Sequence, residues 1–270
     1  MAITGSGTQA DPWVVTTYAE LVEKANDEGY IKIGNNINIT DEYPDGDMPT
    51  LEIVKSDIDG DGKVISNWYK NDSGYCIHET DSSDTVSCIH DMTIKNVYIT
   101  SALTAFCKRS ENNGRPFFEN CNISGVFFKP FAHDGSVITF KGCSFNCDFK
   151  SNAICDCSGY YENCYIKAKS TTSGVFLADY PVNPTAKDSY FELDVPNIYR
   201  LDNYGHGFDN CVLDVTTISQ FNTGGGNHAV SIINTTHAPN VNPDGTNVKG
   251  VSDANWLDVS YLSSIGFNAG

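Results

Sequence analysis

FENCNI (118–123), FKGCSF (140–145), YENCYI (161–166) and FDNCVL (208–213) are four copies of one six-residue phrase in a chain of 270 residues. Two looser copies, IKNVYI (94–99) and AKDSYF (186–191), fit the same frame. The copies begin at 94, 118, 140, 161, 186 and 208, with gaps of 24, 22, 21, 25 and 22 residues. A β-rich unit at this period cannot bury its own apolar face and must stack on its neighbours, as in a solenoid. The first position is large and apolar except at Ala186. The fourth is Val97, Cys121, Cys143, Cys164, Ser189 and Cys211, and the sixth is Ile99, Ile123, Phe145, Ile166, Phe191 and Leu213. These two flank one outward residue, which is strand periodicity. The third is Asn96, Asn120, Gly142, Asn163, Asp188 and Asn210, residue types that accept a left-handed backbone. The unit therefore reads as a strand, a corner at the third position, and a second strand.

The second position runs Lys95, Glu119, Lys141, Glu162, Lys187 and Asp209, alternating in sign throughout. Stacked strands place these side chains roughly 4.8 Å apart. Opposite charges there stabilise by a few tenths of a kcal/mol each. The row is expected to be a surface ion-pair ladder. As catalytic acids, Glu119, Glu162 and Asp209 would each be separated by a lysine, a poor arrangement for paired acid–base work.

SDIDGDGKVISNW (56–68) begins like a calcium loop, with Asp57, Asp59, Asp61 and Gly62. An EF-hand starting at Asp57 needs glutamate at its twelfth position, which is Trp68 here. DIDGDGK is expected to be a turn leading into an early rung, VISNWY (64–69), with Ile65 first, Asn67 at the corner and Trp68 fourth. No metal site is expected.

Hydrophobic residues make up 40% of the chain, enough for a sizeable core, and no apolar run reaches the ~18 residues needed to span a bilayer. No basic and apolar leader is visible at the N-terminus, so a soluble protein made in the cytoplasm is expected. The net charge of -17 repels phosphate backbones and speaks against nucleic-acid binding. The ten cysteines (Cys76, Cys88, Cys107, Cys121, Cys143, Cys147, Cys155, Cys157, Cys164, Cys211) contain no C-x-x-C pair. In a chain that is neither short nor visibly secreted, they are expected to be buried free thiols.

Residues 1–29 read as an N-terminal cap. WVVTT is a short strand and TYAELVEKANDEG a helix, with apolar Ala19, Leu21, Val22 and Ala25 and a stop at Gly29. The cap covers an edge that would otherwise recruit strands. YIKIGNNINIT opens the first rung, and residues 30–235 would hold about nine rungs of ~22 residues. Residues 236–270 read as a polar linker and a C-terminal capping segment.

A rung of this length with asparagine at a corner resembles the right-handed parallel β-helix of the pectate-lyase-like superfamily. Asn96, Asn120, Asn163 and Asn210 match the stacked corner asparagines of that superfamily, with Gly142 and Asp188 as departures. The N-terminal GSGTQADPWVVTTYAELVEKAN and the late YLSSIGF also resemble the ends of small β-helical virion proteins of bacteriophages. The enzyme motifs of the superfamily are incomplete. YGHG (204–207) resembles the histidine motif of polygalacturonases, but their Asp-Asp and Arg-Ile-Lys motifs are missing. Of the arginines Arg109, Arg115 and Arg200, Arg115 and Arg200 are candidates for lyase chemistry but have no obvious acidic partners at rung spacing, and His78, His90, His133, His228 and His237 are scattered. NTGGGNHAV (222–230) has no following helix or lysine, so it is no nucleotide loop. In GVFFKPFAHDG (125–135), Phe127 and Phe128 cannot both face inward, and one is a candidate for a subunit interface.

The resemblance implies a non-enzymatic phage virion protein without catalytic, cofactor or metal residues. It would be a trimeric head decoration protein bound to the major capsid protein, or a tail or baseplate accessory protein. Assembly in the host cytoplasm would suit its free thiols. A β-helical polysaccharide lyase or hydrolase, and a bacterial surface solenoid, are the alternatives.

Overall fold

A computed structural model describes residues 3–70, 73–80, 87–99, 101, 104–109, 117–131, 137–150, 158–171, 175–178, 186–196, 198–202, 208–209, 211–215, 217–218, 230–233, 236–237 and 248–249. The fold is a parallel β-helix. One sheet has nine strands, a second has eleven, and two four-stranded sheets form the third side. Every pairing between its strands is parallel, and the inward residues form straight columns.

The first sheet stacks Ile31, Ile58, Ile89, Phe118, Phe140, Tyr161, Ala186 and Phe208 in direct register. The second stacks Ile37, Ile65, Ile94, Ile123, Phe145, Ile166, Phe191 and Leu213. Aromatic rings of the first column lie face to face, Phe118 on Phe140 at 5.3 Å and Phe140 on Tyr161 at 5.1 Å. Phe145 meets Phe140 edge-on at 5.0 Å, joining the two columns across the interior.

These registers correct the repeat frame at its N-terminal end. Ile94 pairs with Ile65 and Ile123, so IKNVYI and VISNWY belong to the second column and do not open rungs. The residue that stacks on Phe118 is Ile89, and the true copy is IHDMTI (89–94). The physical reason is a register shift between Ile94 and Val97. It gives that strand asparagine and alternating apolar residues of its own, which imitate the corner pattern. The uniform ~22-residue rung does not hold either. The register steps are 27, 31 and 29 residues from Ile31 to Phe118, then 22, 21, 25 and 22 to Phe208. Among the described residues, eight strands from Gly29–Ile33 onward stack in the first sheet, so nine equal rungs are not formed.

From Asn120 to Asp188 the corner is as expected, while Asp91 takes the place expected of Asn96 and Asn210 lies outside the described residues. Asp91, Asn120, Gly142, Asn163 and Asp188 have φ of 52°, 52°, 62°, 53° and 48°. Each tight corner leaves the second-position carbonyl turned toward the fourth-position side chain. Cys121, Cys143 and Cys164 donate their thiols to Glu119, Lys141 and Glu162 carbonyls at 3.4, 3.4 and 3.3 Å. Ser189 does the same to Lys187 at 2.8 Å. A small side chain with an X–H donor is what this buried place accepts, which explains the cysteine stack. The described cysteines are free and buried, whereas Cys155 and Cys157 lie outside the described residues.

The cap contains the strand Trp13–Val15 and the helix Tyr18–Ala25. Thr17 caps the helix by accepting from Glu20 N at 3.2 Å. The Glu42 carboxylate accepts from Tyr18 and Ala19 amides at 2.6 and 2.9 Å, placing negative charge at the helix N-terminus. Tyr18, Leu21 and Ala25 face the core, and Ala19 is exposed. The helix ends at Asn26. Gly29 is not its stop, because it opens the next strand. Past residue 235, Thr236–His237 and Val248–Lys249 continue the sheets.

Candidate functional site: the charged outer face

The outer face of the first sheet carries the predicted ladder from Glu119 to Asp209, and its first expected rung is misplaced. Lys95 lies on the second sheet and is not a rung. His90 takes its place. The directly opposed residues are Lys32, Asp59, His90, Glu119, Lys141, Glu162, Lys187 and Asp209. With His90 cationic, the sign alternates across eight strands. The structure therefore brings Glu119, Lys141, Glu162, Lys187 and Asp209 into one row, as expected, and extends it by Lys32 and Asp59. Lys141 lies 3.6 Å from Glu119, and Glu162 accepts from Tyr160 Oη at 3.4 Å.

The densest part of this face surrounds His90. Ser56–Asp59 is a strand, and the turn expected over DIDGDGK is confined to its second half. Asp57 and Asp59 therefore project from a strand beside the one carrying His90. Nε2 of His90 lies 2.9 Å from Asp57, whose side chain is 9% exposed. Nδ1 lies 2.9 Å from Asp91 and 3.8 Å from Asp59. Asp91 also accepts from Asn120 Nδ2 at 3.1 Å. An imidazole facing carboxylates at both nitrogens donates twice, which only the imidazolium can do. The hydrogen bond to Asp57 pushes its pKa up to about 9, and Asp91 adds to this. Nearby, Lys32 and Lys63 both hold Asp61 at 3.3 Å, keeping that carboxyl below its ordinary range.

Asp59, His90 and Asp91 lie close enough to share a cation. A metal would need the Nδ1 lone pair of neutral histidine. The surrounding carboxylates favour the protonated ring instead. The chemistry of the donor set thus fits a clamped imidazolium better than a metal centre. The repeat frame missed this cluster because IHDMTI was hidden behind IKNVYI. An apolar residue, a charge, an aspartate and then an apolar residue at the sixth place were the signal available.

A second polar face lies on the second sheet. Tyr165 stacks on Tyr190 at 5.5 Å. Tyr165 donates to Glu192, and Tyr190 donates to Asp214 at 3.3 Å. Glu192 and Asp214 are direct neighbours on adjacent strands. Lys167, 2.7 Å from Glu192, holds that carboxyl below its ordinary range. The side chains of Arg109, Arg115 and Arg200, the histidine of YGHG and residues 222–229 of NTGGGNHAV lie outside the described residues. Phe127 is buried and Phe128 half-buried, so one phenylalanine of that pair points inward.

No family model and no curated protein matches the chain. A solved structure from Bacteroides ovatus, described as a "putative immunoglobulin A1 protease", matches with a TM-score of 0.52. The match covers 96% of this chain and 89% of that one at 15% identity, which shows a shared fold.

Proposed function

We propose that the chain is a non-catalytic structural protein of a bacteriophage virion, a β-helix that decorates the head by binding the major capsid protein. The observation that carries this reading is the alternating row on the first sheet. In register, each charged residue there faces one of opposite sign on the next strand, across eight strands. Three further features support it. The described cysteines are free, as assembly in a reducing cytoplasm allows. A net charge of -17 keeps a protein displayed in many copies soluble. The ends of the sequence resemble those of small phage β-helices, and a trimer follows from that resemblance.

The protease description of the Bacteroides ovatus protein suggests a different activity. Proteolysis with His90 as base would need a nucleophile beside it, and the described contacts of its ring are aspartates. A polysaccharide-cleaving β-helix is the second reading, favoured by the adjacent carboxylates Glu192 and Asp214. Glycoside hydrolysis needs one carboxyl with a raised pKa. Lys167 moves Glu192 the other way.

The test is co-sedimentation of the purified chain with heads from a phage lacking its gene. Saturable binding at a fixed ratio to the shell protein is the expected result. Absence of head binding, together with cleavage of a host polysaccharide, would replace this reading with the second.

A further inference from the structure

The cleft beside the stacked tyrosines Tyr69 and Tyr98 has the walls of a ligand site. Its volume is about 360 Å³, and Thr40, Pro44, Asp45, Gly46, Asn67 and Asn96 complete its lining. That size suits one or two sugar-sized rings. Tyr98 is the large apolar side chain left exposed among the described residues, at 44%. Its ring lies 5.6 Å from that of Tyr69 and nearly parallel, with 4° between their planes. The opposite wall is seated against Tyr69 at Gly46, which has φ of +76°. A Cβ there would fall 2.3 Å from the Tyr69 ring, so glycine is what brings this wall so close.

The polar groups of the cleft are mainly acceptors. A stack of side-chain amides runs along its base. Asn67 donates to Asn38 at 2.7 Å, and Asn96 donates to Asn67 at 3.1 Å. The stack stops there because the register shifts between Ile94 and Val97, and Val97 pairs with Gly125 on the next strand. Both described amide bonds use one Nδ2 hydrogen each and run in the same direction. Asn96 Oδ1 is therefore the terminal acceptor, without a protein donor among the described residues. The exposed Asp45 carboxylate adds another acceptor. A ligand that donates hydrogen bonds and lays an apolar C–H surface near tyrosine satisfies both walls. An acyl chain would leave the acceptors bare, and an anion would meet Asp45 in a protein of charge -17.

We infer that this cleft binds an uncharged, hydroxyl-rich saccharide, by aromatic packing on Tyr98 and hydrogen bonds to Asp45 and Asn96. It is separate from the charged first-sheet face, and it does not depend on which particle or surface carries the protein.

The test uses the soluble full chain on an array of neutral oligosaccharides (gluco-, galacto- and N-acetylglucosamine series) with oligogalacturonides as the anionic contrast. Any hit is then titrated calorimetrically. Binding to a neutral series is expected, weakened about tenfold or more by Tyr98→Ala or Asp45→Asn. Both substitutions lie at the surface, and their melting temperatures show whether the fold is kept. If either variant unfolds, the neutral-sugar ligand is tested in competition with Tyr98→Phe, which keeps the ring. Absence of any neutral ligand, preference for the anionic series, or binding unchanged in folded Tyr98→Ala would each overturn the proposal.

Discussion

His90 is a cation by position. Its pKa stands near 9 in the folded chain, against about 6.5 for an unperturbed histidine. A raised folded value means that folding favours the protonated ring. The stabilisation is complete below about pH 6.5 and fades as pH rises through 9. Allowing for a side chain that is 25% exposed, it is on the order of 1–3 kcal/mol. His90→Gln should melt below the parent protein at pH 6, and the two curves should converge near pH 10. The difference between the proteins is the informative quantity, because thiols exposed on unfolding also titrate above about pH 8.5. A constant difference across that range would show that His90 is neutral in the fold. The thiols offer a second test at this scale. Cys164→Ser should cost little, since Ser189 already makes the same bond one rung away. Cys164→Leu should cost about 1–3 kcal/mol by overpacking, read as a shifted urea midpoint.

The element of interest is the pair of strands joined by a left-handed corner, and its charge row predicts a position-specific penalty. Lys141→Glu would set three carboxylates in succession between His90 and Lys187. The expected loss is about 1 kcal/mol, or roughly 2–4 °C in melting temperature, and added salt should reduce it. A melting temperature unchanged at low salt would contradict the ladder. Gly125→Ala should be far more harmful, because its Cβ would lie 2.2 Å from the Val97 carbonyl oxygen, and backbone cannot step aside. Most of this element was readable from the copies at 118, 140, 161 and 208. There one residue class recurs at each place, and each class has its own physical job. The early turns were not readable in the same way. Ile58 to Ile65 spans seven residues where Phe118 to Ile123 spans five; Ile89 to Ile94 keeps the five, but IKNVYI begins at Ile94 and imitates the phrase, so the frame slips onto it. The slip exchanged His90 for Lys95, which kept the sign of the row while hiding its most consequential member. The tyrosine cleft was half legible: Asn67 and Asn96, like Tyr69 and Tyr98, hold the same places in VISNWY and IKNVYI, whereas Pro44, Asp45 and Gly46 come from a turn outside the frame.

At the scale of the whole molecule, the interior is a continuous aromatic and aliphatic spine, and the thiols lie inside it. Burial pushes the Cys164 thiol up, away from the reactive thiolate. A thiol reagent should therefore label the native protein slowly at the described cysteines and label them rapidly after denaturation without reductant. Rapid labelling of Cys121, Cys143 or Cys164 in the native protein, mapped by mass spectrometry, would contradict this packing. The row of opposed charges has a consequence for how such a chain can grow or shrink. Its pattern repeats every second strand, whereas the backbone repeats every strand. Losing one turn between Glu119 and Glu162 would leave two glutamates face to face, while losing two would restore the match. Length in this protein thus carries a parity. Duplication or deletion in pairs of turns preserves the surface, and odd steps cost it a repulsive seam.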